Sequence, residues 1–81
     1  MTHDQIFQEI KEFLLEALPL TEDKITLEAR FQEDLEADSL DLVELIMTLE
    51  EKYSIKISDE EAAKIRTVSD AVDFVEKRIA Q

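Results

Sequence analysis

The chain contains no glycine and a single proline, Pro19, in 81 residues. Tight β-hairpin turns rely on positive-φ positions that glycine fills at no steric cost, so a strand-rich fold is poorly served by this sequence. An all-α fold is expected, with turns built from Asp, Ser and Thr. The length suits one small domain spanning 1–81, with a limited core and modest stability. Hydrophobic residues make up 44% of the chain, enough for it to fold rather than remain a disordered acidic tail.

Local signals divide the chain. Thr2 with Gln5 matches a capping box and opens a helix running to Leu18. Ile6, Phe7, Ile10, Phe13, Leu14 and Ala17 give that helix one wide apolar face. Pro19 stops it, because the residue before proline avoids helical geometry. From Leu20 to Ala37 neither helical nor strand periodicity is sustained. Ile25, Leu27, Phe31 and Leu35 are expected to pin this long loop across the bundle, with short helical turns inside it. Asp38 caps a second helix from Ser39 to Lys52. Ser58-Asp59-Glu60-Glu61 is another capping box and starts a short helix to Lys64, with Ala62, Ala63 and Ile65 on its inner side. Thr67 or Ser69 caps a last helix to about Ala80, with Val68, Ala71, Val72, Phe74, Val75 and Ile79 as its apolar positions. The expected architecture is a small bundle of three main helices plus one short helix, with a long loop between the first two helices.

The second helix carries two apolar stripes. Leu42, Leu45, Ile46, Leu49 and then Tyr53 have core spacing. Leu40, Val43 and Met47 form an offset stripe interleaved with Glu44 and Glu51. A helix packed on one side needs only the first. Apolar knobs ringed by carboxylates suit a basic-rimmed groove on a partner, so the offset stripe is read as a docking surface.

Charge narrows the partners. The formal net charge is −12, which repels nucleic acid and anionic membranes and attracts basic proteins over long range. No apolar run approaches membrane-spanning length, and Met1-Thr2-His3-Asp4 shows no signal-peptide pattern, so a cytoplasmic monomer is expected. There is no cysteine, hence neither disulfide nor protein thiol.

The acidic stretch Asp34-Leu35-Glu36-Ala37-Asp38-Ser39-Leu40-Asp41 superficially suits three chemistries. As a calcium loop beginning at Asp34 it puts Ser39 where the turn glycine belongs and Leu45 where the bidentate glutamate belongs, so no metal site is expected. As a serine hydrolase it lacks a Gly-x-Ser-x-Gly elbow, and the only histidine, His3, is terminal. Carboxylates this dense on a small surface are ordinarily a solvated face rather than an acid–base pair. No catalytic residue is expected. Ser39 is left as an acceptor for chemistry performed by another protein, or as an ordinary first-turn polar residue; from physics alone the second is the plainer reading.

Asp38-Ser39-Leu40-Asp41-Leu42-Val43-Glu44-Leu45 closely resembles the Asp-Ser-Leu signature of acyl carrier proteins, above all the free-standing bacterial type of dissociated fatty acid synthesis. The likeness continues through Phe31-Gln32-Glu33-Asp34-Leu35, Met47-Thr48-Leu49-Glu50-Glu51-Lys52-Tyr53, Asp59-Glu60-Glu61-Ala62 and Ile65-Arg66-Thr67-Val68. The resemblance implies that a phosphopantetheinyl transferase moves 4′-phosphopantetheine from coenzyme A onto Ser39. Acyl groups then ride on that arm as thioesters among basic-surfaced fatty acid synthesis enzymes. It implies a carrier and not an enzyme. Its docking face would comprise Asp38, Leu40, Asp41, Val43, Glu44, Met47, Glu50 and Glu51. Its acyl pocket would be lined by Phe31, Ile46, Leu49, Ile57, Ala62, Ile65 and Ala71. A carrier dedicated to polyketide, lipid A-type or aminoacyl loading, or an acidic interaction adaptor, stands as the alternative.

Two residues depart from the family pattern. Glu36 stands where glycine is common; if the backbone there needs positive φ, the side chain costs on the order of 1 kcal/mol. Ser58 replaces a proline and can cap instead.

Overall fold

The computed structural model describes residues 2–79. Four α-helices follow in order: α1 His3–Ala17, α2 Ser39–Tyr53, α3 Asp59–Ala63 and α4 Val68–Ile79. The described residues contain no β-strand, and one isolated antiparallel bridge pairs Arg30 with Thr67. The long loop joins α1 to α2 and carries a 3-10 turn at Glu22–Lys24. Ala80, the expected last residue of the final helix, lies outside the described residues.

Each helix starts where a side chain takes up its orphan amides. Thr2 Oγ1 accepts from the Gln5 amide at 3.2 Å, and Gln5 Oε1 accepts from the Thr2 amide at 2.9 Å. Ser58 and Glu61 make the same reciprocal pair at 3.1 Å each. Thr67 Oγ1 accepts from the Asp70 amide at 3.0 Å, while Asp70 Oδ2 accepts from the amides of Arg66 and Thr67. Of the two expected caps for α4, Thr67 is therefore the one used. α2 ends at Ser54, which takes the left-handed conformation with φ 53°. With no glycine in the chain, a serine fills a position that helix ends usually give to one.

The core runs through the centre of the bundle. Ile6, Ile10 and Leu14 of α1 are buried against α4, where Val68, Ala71, Val72 and Val75 are buried in turn. Leu45 and Leu49 enter from α2, and Ile57 and Ile65 flank α3. Burying an aliphatic side chain of this size contributes roughly 1.5–3 kcal/mol. Two expectations fail at the rim. Ala17 and Ala63 are exposed, because each lies in the last turn of its helix where the chain turns away from the core.

Of the four expected loop pins, Ile25, Phe31 and Leu35 are buried and Leu27 is half-buried. The amides of Ile25 and Leu35 bond within the loop, to Glu22 O and Arg30 O, while Leu27, Ala29 and Phe31 bond to the segment that opens α4. Phe31 N–H donates to Arg66 O at 3.0 Å, Val68 N–H to Ala29 O at 3.0 Å, and Ser69 N–H to Leu27 O at 2.9 Å. These strand-like bonds explain how a long segment without periodicity is held against the bundle. Arg30 braces the next turn, donating through its amide to Asp34 Oδ2 at 2.8 Å and pairing with Glu33 at 2.6 Å. The backbone and guanidinium bonds from Arg30 hold the Asp34 carboxyl below its usual range. Across the bundle, the Tyr53 hydroxyl donates to Glu9, tying the end of α2 to α1; burial and that carboxylate push the phenol well above its ordinary value.

Candidate functional site

Ser39 is exposed at the first position of α2. It is presented by a reciprocal cap: Asp41 N–H donates to Asp38 Oδ1 at 2.9 Å, and Asp38 N–H donates to Asp41 Oδ2 at 3.2 Å. Spacing marks Asp38 as the cap; the return bond to Asp41 is less evident from sequence, because Asp is a less common partner at that position than Glu or Gln. None of the side-chain hydrogen bonds among the described residues engages the Ser39 hydroxyl. Three residues before it, Glu36 sits at φ 56°, in the left-handed region. The next residue, Ala37, is anchored by its amide to Phe31 O at 2.8 Å. The turn that delivers Ser39 thus combines a backbone anchor, a left-handed residue and a double cap.

The offset stripe points outward. Leu40, Val43 and Met47 are 66%, 52% and 56% exposed, the large hydrophobic side chains left most open to solvent among the described residues. Glu44 and Glu51 are exposed beside them. Glu50, grouped with them from sequence, differs. It is half-buried, and its Oε2 accepts from the Ile57 amide at 3.0 Å. Its carboxylate takes up an amide of the linker after α2, a contact set by the path of that linker.

Two clefts flank α3. One, of about 240 Å³, lies between α2 and α3 and includes Leu42, Val43, Ile46, Met47, Ile57, Ala62 and Ile65 in its lining. The other, of about 670 Å³, is bounded by the loop at Arg30–Glu33 and by the corner between α3 and α4, with Phe31, Ala63, Arg66 and Asp70 in its wall. Leu42, Ala62 and Ile65 line both.

Of the seven expected pocket residues, Ile46, Ile57, Ala62 and Ile65 meet in the α2–α3 cleft. Phe31 meets Ala62 and Ile65 in the second cleft. Leu49 borders a separate groove between α1 and α2, and Ala71 is fully buried in α4. Sequence spacing cannot separate these, since core and cleft residues share the same apolar stripe. Leu42, assigned by spacing to the core stripe, lines both clefts, and its place one turn after Ser39 is the sequence signal for it.

An arm on Ser39 fits this geometry. The hydroxyl is open, and Leu42 on the following turn leads into both clefts. Among the described residues, no group of three or more His, Cys, Asp or Glu side chains is placed to hold a metal ion, and no helix is long and apolar enough to cross a membrane.

Comparison with known proteins agrees across nearly the whole chain. The family model described as "Phosphopantetheine attachment site" matches residues 8–75. An acyl carrier protein of Rubrobacter xylanophilus is 56% identical over 75 residues, covering 93% of each chain. One from Petrotoga mobilis is 43% identical over 79 residues, covering 98% of this chain and 93% of its own. The solved structure of an acyl carrier protein from Enterococcus faecalis superposes with a TM-score of 0.82 at 32% identity, covering 96% of this chain and 99% of that one.

Proposed function

This chain belongs to the acyl carrier proteins, whose phosphopantetheine-attachment domain bears 4′-phosphopantetheine covalently, and from that premise we propose that Ser39 is the attachment point. Members of the family are carriers, not catalysts, and they work with a phosphopantetheinyl transferase and with biosynthetic enzymes. The observation that carries the proposal is the exposed Ser39 hydroxyl at the start of α2, next to the Leu40–Val43–Met47 stripe and one turn from Leu42. In the transfer, Ser39 Oγ forms a bond to the phosphorus that bears pantetheine in coenzyme A. The bond from that phosphorus to adenosine 3′,5′-bisphosphate breaks, and the hydroxyl proton leaves. When bound, the arm supplies the thiol that this chain lacks and on which acyl groups are held as thioesters.

The chain's own residues then do three things. Asp38 and Asp41 hold the first turn of α2 rigid. Leu40, Val43 and Met47, with Glu44 and Glu51 around them, meet basic partner surfaces through apolar contact at the centre and charge at the rim. Ile46, Ile57, Ala62 and Ile65 offer an apolar wall to an aliphatic chain. That wall favours fatty acyl cargo over aminoacyl or other polar cargo, because a polar group there would lose its water without gaining a partner. Residues 1–81 are read as one carrier domain acting as a cytoplasmic monomer in fatty acid synthesis.

Intact-mass spectrometry after incubation with coenzyme A and a transferase tests the assignment. One phosphopantetheine adduct is expected, and Ser39→Ala should accept none. An adduct on Ser39→Ala would move the site elsewhere. Competition between fatty acyl and aminoacyl loading enzymes for the adduct-bearing protein tests the pathway. Preferential aminoacylation would favour the dedicated-carrier reading.

A further inference from the structure

α3 is five residues long, and none of its residues is buried. A helix so short does not hold itself together in water, so its shape and position depend on what it is tied to. Its cap, Ser58 with Glu61, is internal and fixes no position relative to the bundle. The apolar anchors Ile57 and Ile65 lie outside it, one at each end.

Two polar ties then act on this segment from opposite sides. From α2, Glu50 accepts the Ile57 amide at 3.0 Å. From α4, Arg78 reaches across with both terminal nitrogens. Nη1 donates to Lys56 O at 2.6 Å, and Nη2 pairs with Glu61 Oε2. The guanidinium also lies over the Phe74 ring, 4.7 Å from its centroid, which limits the orientations open to it. A planar guanidinium can serve two acceptors at once from one position, whereas a lysine ammonium is a point charge on a flexible stem. Arg78 therefore grips the segment both before α3 and within it, and draws it towards α4.

That segment forms one wall of the α2–α3 cleft and the partition between the two clefts, through Ala62 and Ile65. We propose that Arg78 is a positioning residue of the carrier site: by gripping Glu61 and the Lys56 carbonyl it fixes α3, and so sets how long an aliphatic chain the α2–α3 cleft shelters. This rests on the reading of that cleft as the acyl shelter. Without the grip, α3 keeps its two flanking anchors but yields to an incoming chain, and the partition between the clefts gives way.

The test uses the full chain bearing phosphopantetheine, with Arg78→Gln, Arg78→Lys, Glu61→Gln and the Arg78→Gln/Glu61→Gln double variant. The first readout needs no cargo: hydrogen exchange of residues 58–65, compared with exchange in α1 and α4. Arg78→Gln should speed exchange in α3 by roughly tenfold and leave α1 and α4 unchanged. Arg78→Lys should fall between, and the double variant should be no worse than the worse single one. Glu61→Gln keeps an acceptor for the Ser58 amide and carries the same expectation should Arg78→Gln fail to fold.

The second readout is the rise in melting temperature as saturated straight chains of increasing length are loaded. In the unaltered protein the rise should level off at some length, and Arg78→Gln should move that plateau to longer chains. Equal acceleration of exchange in all helices with an unmoved plateau would overturn the proposal, since it would mean only general loss of stability. So would unchanged exchange in α3. A rise independent of chain length in the unaltered protein would overturn the shelter reading, and the proposal with it.

Discussion

The amide of Asp41 and the carboxylate of Asp38 are joined at 2.9 Å, and the amide of Asp38 returns the bond to Asp41 at 3.2 Å. Ser39 and Leu40 are held between them. Two acidic residues that look from sequence like signals to a basic partner thus also frame the turn that presents Ser39, and the proposed recognition role can be separated from the cap. Asp38→Ala should lower stability by about 1 kcal/mol through loss of the cap, roughly 4–8 °C in melting temperature. Asp38→Asn keeps an acceptor oxygen and should melt within a degree or two of the parent (about a few tenths of a kcal/mol) while being modified more slowly by the transferase. Equal modification rates for Asp38→Asn and the parent would remove the charge from the recognition argument.

Glu36 occupies the left-handed region at φ 56°, where a side chain is crowded against its own backbone. Replacement by glycine should raise stability by up to about 1 kcal/mol, read as a higher denaturant midpoint at unchanged slope. Glu36→Val, with a β-branched side chain, should do the reverse. A lower midpoint for Glu36→Gly would mean that the Glu36 side chain contributes more than its backbone strain removes.

Glu44 is exposed between Val43 and Leu40 on one side and Met47 on the other. Glu44→Lys should weaken binding to the transferase by about 1 kcal/mol, roughly fivefold, at low ionic strength, with the difference shrinking as salt rises. Helix content by circular dichroism should stay the same. Titration calorimetry at two salt concentrations checks this, and identical affinity at low salt would detach this face from docking.

Glu61 links pH to the placement of α3. Its carboxyl is held below its ordinary value of 4.5, first by the Ser58 amide and then by Arg78. A depressed carboxyl contributes stability that is fully present above 4.5 and fades as pH falls through the lower value it has in the folded chain. The melting-temperature gap between the parent and Glu61→Gln should therefore be constant near neutrality and close as the pH drops below 4.5. Comparing the two variants cancels the opposing effect, in which protonating the other carboxylates relieves a chain of net charge −12. A gap that persists into strong acid would show that the ionised form of Glu61 contributes nothing.

Helix limits were legible because their causes are local. Thr2 with Gln5, Ser58 with Glu61, and Pro19 act through neighbours a few residues away, and each appears in the structure where the sequence puts it. The exposed stripe was legible because helical periodicity assigns Leu40, Val43 and Met47 to a face the core does not need. The cleft was read less well. Leu49 and Ala71 share the apolar character of Ile46, Ile57 and Ile65, and only the packing of the helices sends Leu49 to the α1–α2 groove and Ala71 to the core, while Phe31 meets Ile65 in the second cleft.

The amino-acid sequence by itself determined an all-α chain, the starts of the first three helices, the acidity of the surface and, through its likeness to a known family, the serine at the head of α2. Tertiary structure alone decided which carboxylates turn inward. Glu9 meets Tyr53, Glu50 meets the Ile57 amide, and Glu61 meets Arg78, while Glu44 and Glu51 stay in water. The physical reason is range: a cap or an apolar stripe is set within one or two turns, whereas the partner of a glutamate is whatever the packing of distant segments brings within about 3 Å of it.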